Sequence, residues 1–137
     1  MNSVRIVTYA ESLACEFARL NRAWIERYFA LEAADLELLD NPYERIILPG
    51  GQVFFAHIHG ITVRTCAAQK LFGGDWELAK LGVDEKHRGK GVGRRLCKRV
   101  MEFCWSHGAE RIIIETNSIL VPAVNLYASL GFREFTP

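Results

Sequence analysis

Residues Leu78 to Leu96 read LAKLGVDEKHRGKGVGRRL. The apolar start predicts a buried strand, the polar middle a short connection, and the stretch from about Val92 a helix. Between connection and helix, Arg88-Gly89-Lys90-Gly91-Val92-Gly93 fits the pattern R-x-x-G-x-G. Glycines at alternate positions leave the peptide N–H groups of the turn without side chains above them. The helix that follows aims its unpaired N–H groups and the positive end of its dipole at the same place. This is an anion site suited to a phosphate or pyrophosphate. Lys86, Arg88, Lys90, Arg94, Arg95, Lys98 and Arg99 crowd it.

Other glycine-rich signatures do not fit. A dinucleotide fingerprint, G-x-G-x-x-G, would end on Arg94 counted from Gly89, or on Leu96 counted from Gly91. A P-loop needs Ser or Thr after its Gly-Lys, and Gly91 follows Gly89-Lys90. A plain capping turn accounts for the glycines but not for the charges. Arg94/Lys98 and Arg95/Arg99 are like-charge pairs at i,i+4, and positive charge in a first helical turn opposes the dipole. A bound polyanion relieves both conflicts.

With this turn in place, a family likeness emerges. The chain resembles the GNAT superfamily of N-acyltransferases, whose pyrophosphate loop has the form R-x-x-G-x-G between a strand and a helix. Leu126-Tyr127-Ala128-Ser129-Leu130-Gly131-Phe132 is similar to the closing L-Y-x-x-L-G-F segment of that family, and Ile112-Ile113-Ile114-Glu115-Thr116-Asn117 is similar to its fifth strand. The likeness is strong from about Glu77 to Phe132 and looser over the first half. It implies an α/β fold with a GNAT-like mixed central β-sheet, helices on both faces, and acetyl-CoA as cosubstrate without a metal.

The 137 residues suit one domain, 1–137, with half of them hydrophobic and a quarter charged. The net charge of +1 gives no global field for nucleic acid or membrane, because the basic residues are local to the glycine turn. No apolar run approaches the about 20 residues of a membrane span, and no signal-peptide core opens the chain; a cytoplasmic protein is expected. Cys15, Cys66, Cys97 and Cys104 contain no C-x-x-C, and Cys97 and Cys104 lie too far apart on one helix to bridge. Reduced, semi-buried thiols are expected. His57, His59, His87 and His107 show no ligand spacing; His57 is read as core and the others as turn or surface residues.

Along the chain, Val4 to Thr8 is a strand candidate. Glu11 to about Phe29 reads as an amphipathic helix with Leu13, Phe17, Leu20, Trp24 and Tyr28 on one face. A second helix from Glu32 to Leu39 ends at Asn41-Pro42. Gln52 to Ile58 and Ile61 to Ala67 read as strands joined by a His59-Gly60 turn, the first of them covered on both faces. Trp76 to Val83 reads as the central strand. Gly82 inside it marks a bulge or a close approach of another group, and in the resembled family this strand is bulged and splays from the next to admit pantetheine. Arg111 to Thr116 reads as a central parallel strand, with Pro122 opening and Gly131 closing the last helix.

Acetyl transfer needs the thioester held, its carbonyl polarised, the amine deprotonated and the leaving thiolate protonated. The cofactor-binding candidates are Arg88, Gly89, Lys90, Gly91, Val92, Gly93 and Arg94 for the pyrophosphate, main-chain groups of Leu81, Gly82 and Val83 for pantetheine and the thioester oxygen, and Asn117 across the splay. Glu77 is the candidate base: an amine of pKa about 10 must lose a proton, and a carboxylate in an apolar strand is the better acceptor for it. An edge glutamate paired with Lys70 or Lys80 is the competing reading. Tyr127, on the segment closest to the family, is the candidate general acid for a thiolate of pKa roughly 8.5; a tyrosine bonded to backbone is the alternative. By resemblance Asn21, Trp24, Tyr28 and Glu32 form an acceptor-side wall for a cationic amine, against the reading of a solvated face with two core aromatics.

The activity implied is acetylation of a primary amine of a small molecule or peptide by direct attack. The alternative is a non-catalytic CoA-binding or interaction module with the same fold. The family's sheet continues beyond the G-F, where Arg133 to Thr136 can supply one short strand at most. The sheet is thus expected to be short at its C-terminal end, with the edge past Ile112–Thr116 covered by a homodimer partner or by an earlier segment; a monomer that tolerates the open edge is the competing reading.

Overall fold

The computed structural model describes residues 4–28, 33–83, 91–114 and 121–133, with the side chains of 24–28, 33–35, 82–83 and 121–124 outside the description. In chain order the elements are β1 (Val4–Thr8), α1 (Ala14–Tyr28), α2 (Ala33–Asp40), β2 (Gln52–Ile58), β3 (Ile61–Lys70), β4 (Asp75–Val83), α3 (Val92–Ser106), β5 (Arg111–Ile113) and α4 (Val121–Ser129). A 3-10 turn leads into α1, and a π-turn over Tyr43–Ile47 follows α2.

The strands form one sheet in the order β1-β2-β3-β4-β5. The first four are antiparallel neighbours and β5 runs parallel to β4. His59 and Gly60 both take positive φ, 51° and 77°, which matches the right-handed twist of a two-residue hairpin between β2 and β3. Because β2 buries both faces, the sheet separates two cores. On one side Phe54, Ala56, Ile58, Val63, Cys66, Trp76 and Leu78 pack against Val92, Leu96, Cys97, Val100 and Cys104 of α3. On the other, Val53, Phe55 and Ala67 pack against Phe17, Leu39 and Ile46.

The spacing of the apolar residues on α3 sets its orientation. Val92, Leu96, Val100 and Cys104 recur every four residues and are fully buried. Each buried aliphatic side chain in such a row contributes about 1.5–3 kcal/mol, enough to fix which face of the helix meets the sheet. The basic residues Arg94, Arg95, Lys98 and Arg99 are thereby turned outward.

Three expectations change. The run from Arg111, expected as a central strand, is the edge strand among the described residues, and only Arg111–Ile113 pairs with β4. The thiols expected to be semi-buried divide sharply: Cys66, Cys97 and Cys104 are fully buried, while Cys15 is exposed. The bulge near Gly82 lies earlier in β4. Thr65 registers with Gly82 and Ala67 with Ala79, so Cys66 alone faces Lys80 and Leu81. Lys80 carries the distortion, at φ 54°, because an extra residue in one strand must turn out of the pleat.

Candidate active site

The glycine turn enters α3 through Gly91, which takes φ 72° as the N-cap residue. That left-handed backbone suits glycine, and a Cβ placed there meets nothing within 4 Å among the described residues. Gly91 also accepts the Arg95 N–H at 3.2 Å, and among the described residues no side chain caps the helix. Val92 buries its side chain in the core and offers only its backbone to this turn. Arg88, Gly89 and Lys90 lie outside the described residues. The side chain of Arg94, a pyrophosphate candidate, donates from Nη1 to Ser129 Oγ at 2.6 Å and ties the start of α3 to the end of α4.

Beyond this turn the sheet forks. Among the described residues β4 pairs with β5 through Asp75–Arg111, Trp76–Ile112 and Glu77–Ile113, whereas it pairs with β3 as far as Val83, which registers with Arg64. Among those residues no strand pairs with Leu81, Gly82 or Val83 on the β5 side. A strand flank presents a row of N–H and C=O groups that an extended amide chain can pair with. Leu81, Gly82 and Val83, the sequence candidates for pantetheine, lie just past the bulge. Asn117 lies outside the described residues.

Tyr127 packs against the α3-side core together with Leu126, Leu130 and Leu81. The end of α4 locks it in place. Phe132 N–H donates to the Tyr127 carbonyl and Gly131 N–H to the Ala128 carbonyl, both at 3.1 Å, with Gly131 at φ 97°. This is a Schellman arrangement, and it explains the spacing of the L-Y-x-x-L-G-F segment: the tyrosine carbonyl, the glycine and the phenylalanine are its working parts. Burial raises the phenol well above the usual tyrosine range, and the thiols of Cys66 and Cys97 raise it further. Arg64 works in the opposite direction. A neutral phenol held in this way keeps its proton until a basic partner arrives.

Three thiols lie in the core that Tyr127 packs against. Burial and the Cys97 sulfur raise the Cys66 thiol, while the hydrogen bond from Cys66 and the charge of Arg64 lower Cys97. Cys66 also reaches the Ala79 carbonyl at 3.6 Å. Burial pushes Cys104 up to about 11.

Glu77 lies between Trp76 and Leu78, both in the α3-side core. Strand alternation places its carboxylate on the opposite face, the face that carries Ala67 of the second core and that α1 crosses. It is half-buried and registers with Gln69 of β3 and Ile113 of β5. The candidate base and acid therefore sit on opposite faces of β4. Asn21, expected on the acceptor wall, is 1% exposed, and its amide donates to the Phe17 carbonyl at 3.0 Å. That bond turns the amide back onto its own helix. The side chains of Trp24 and Tyr28, and Glu32 as a whole, lie outside the described residues.

Arg64 was not among the sequence candidates. Its signal was a lone charge in an otherwise buried strand, Thr62-Val63-Arg64-Thr65-Cys66. The guanidinium lies against the first turn of α3, where a Cβ built on Gly93 would stand 2.1 Å from Arg64 Nη1 and 3.4 Å from Leu126 Cδ2.

Comparison with known proteins bears on the family and the fold. A relative in Homo sapiens, N-acetylaspartate synthetase, is 31% identical over 114 residues, 82% of this chain and 36% of that protein, so the chain spans about a third of the relative's length. An acetyltransferase from Staphylococcus aureus Mu50 superposes at a TM-score of 0.87 with 24% identity, over 97% of this chain and 85% of that one. An aminoglycoside N-acetyltransferase solved in complex with CoA superposes at 0.79 with 16% identity, over 100% of this chain and 92% of that one. Residues 9–132 match the model of the Acetyltransferase (GNAT) family, and the chain belongs to that family.

Proposed function

We propose that this chain is an N-acetyltransferase that moves the acetyl group of acetyl-CoA to a primary amine of a small molecule or peptide by direct attack. The observation that carries the reading is the fork at the bulge of β4, with Tyr127 on one face of the strand and Glu77 on the other. The CoA complex of a protein with the same fold supports the choice of cosubstrate.

The residues present fit such a cosubstrate. The open turn at Gly91 and the first N–H groups of α3 receive the pyrophosphate. The free flank from Leu81 to Val83 orients the pantetheine amides and brings a thioester carbonyl to the bulge, where a backbone N–H polarises it. From the α1 face Glu77, directly or through a water, takes the proton that the amine must shed. From the α3 face Tyr127 gives its proton to the departing sulfur and recovers one from solvent. Donor and acceptor on opposite faces let the amine enter on one side while the thiolate leaves on the other.

Thiol release from acetyl-CoA, measured with a panel of amines, tests the proposal. The panel includes aspartate, since the human relative is named for its N-acetylated form, together with aminoglycosides and short peptides. Turnover with at least one amine, reduced about 10²-fold in Tyr127→Phe with acetyl-CoA affinity little changed, is the expected result. CoA binding without turnover on any amine assigns the chain to a non-catalytic module instead.

A further inference from the structure

We propose that Arg64 is a positioning residue for this reaction. Its guanidinium, admitted between α3 and α4 by the missing side chain at Gly93, couples the cofactor turn to the Tyr127 ring. The inference rests on the reading of Tyr127 as proton donor.

A charge inside a strand whose neighbours are buried is costly to desolvate, so its place needs a reason. Arg64 registers with Val83, where β4 ends and the cofactor turn follows. From there its side chain reaches Gly93 in the first turn of α3 and the surroundings of Leu126, the residue before Tyr127. The elements that must cooperate in transfer are thus bridged by one cation. Among the described residues, the titratable and charged groups acting on Tyr127 are Cys66 and Arg64 from β3 and Cys97 from α3, and of these Arg64 favours the phenolate. A tyrosine that protonates a thiolate carries negative charge for an instant, and a cation held near Leu126, one residue before it, lowers the cost of that step.

Gly93 acquires a specific meaning from this geometry. The atoms nearest a new Cβ are Arg64 Nη1 at 2.1 Å and Arg64 Cζ at 2.9 Å, the tip of a flexible side chain. A methyl group at 93 therefore displaces the guanidinium instead of breaking the helix. If the third glycine served the pyrophosphate alone, the same methyl would act on CoA affinity.

The test uses the full chain enriched in tyrosine carrying carbon-13 at Cζ, with the Tyr127 resonance identified by its absence in Tyr127→Phe. Arg64→Met, Arg64→Lys, Gly93→Ala and the double variant Gly93→Ala/Arg64→Met are compared. The expected result is a loss of turnover of about tenfold or more in Arg64→Met and Gly93→Ala, with CoA affinity within about threefold of the parent. The double variant should be no slower than Arg64→Met, since both changes remove one interaction. Arg64→Lys, which keeps the charge, should recover part of the rate and guards against a fold failure in the methionine variant. The Tyr127 resonance should move in Arg64→Met and Gly93→Ala alike. Additive losses, or losses confined to CoA affinity, overturn the proposal. So does a Tyr127 resonance that ignores both substitutions, even if Tyr127→Phe is slow. A resonance that moves while Tyr127→Phe keeps full turnover supports the coupling and defeats the acid assignment instead.

Discussion

Phe132 donates its backbone N–H to the carbonyl of Tyr127 at 3.1 Å and sets its ring edge-on to the tyrosine, with centroids 6.3 Å apart and planes at 69°. The cap of α4 and the seat of the candidate acid are one structure. Gly131 makes it possible at φ 97°, where a Cβ would touch nothing within 4 Å. Gly131→Ala should therefore cost backbone strain alone, about 1 kcal/mol, and Gly131→Asn less, because asparagine tolerates the left-handed region. Urea denaturation reads both values; an alanine as stable as the parent would show that the cap does not need the glycine.

Gly91 gives a different outcome from a similar conformation, because the space beside it faces the proposed pyrophosphate. Gly91→Glu should lower CoA affinity tenfold or more through like-charge repulsion and lost approach, with the fold kept. Gly91→Asn, which accepts the backbone conformation without adding charge, should lose less. Calorimetry that finds CoA affinity unchanged in the glutamate variant removes the turn from the cofactor site.

Lys80 holds the bulge of β4 at φ 54°. A β-branched residue is poorly accommodated there, so Lys80→Val should lower stability by about 1–2 kcal/mol. Lys80→Gly relieves the strain and should retain the parent's denaturation midpoint or exceed it. A valine variant with the parent's midpoint would mean that the strand can abandon the bulge without penalty.

Cys104 predicts a pH dependence. Its folded pKa, raised to about 11 by burial, lies above the unfolded value, so the folded chain holds the proton more tightly. The sign follows: the contribution is complete below about pH 8.5 and disappears as pH rises through the folded value. Melting temperature should fall over that alkaline window, and Cys104→Ala should flatten the fall while lowering the plateau for its small cavity. An alanine variant with the parent's alkaline slope assigns the loss to other groups.

Much of this arrangement is legible in the chain. The apolar rows of α3 and the L-Y-x-x-L-G-F segment are local patterns whose physics is local, and each folds as read. What escaped reading depends on register. Nothing near Gly82 says that the extra residue of β4 falls at Lys80, because bulge position is settled by pairing with Thr65 and Ala67. Asn21 reads as a polar residue on a helix face, yet its amide turns to the Phe17 carbonyl. Arg94 reads as a phosphate ligand and is bonded to Ser129, 35 residues away. Arg64 acquires its role only when α3 and α4 are laid over β3, a contact between segments far apart in sequence.

The short pairing of β5 with β4 also determines how the sheet meets solvent deuterium. Along β3 the amides of β4 are locked in a ladder, but on the other flank, beyond Glu77, no described strand covers them. A pantetheine arm lying in that gap would stand in for a length of strand, closing the ladder for as long as it stays. Exchange at Leu81 and its neighbours then becomes a gauge of occupancy: fast in the empty protein, slow when CoA fills the gap, and fast again when the arm departs. On this view the sheet is completed once per catalytic cycle, by a molecule that is not protein.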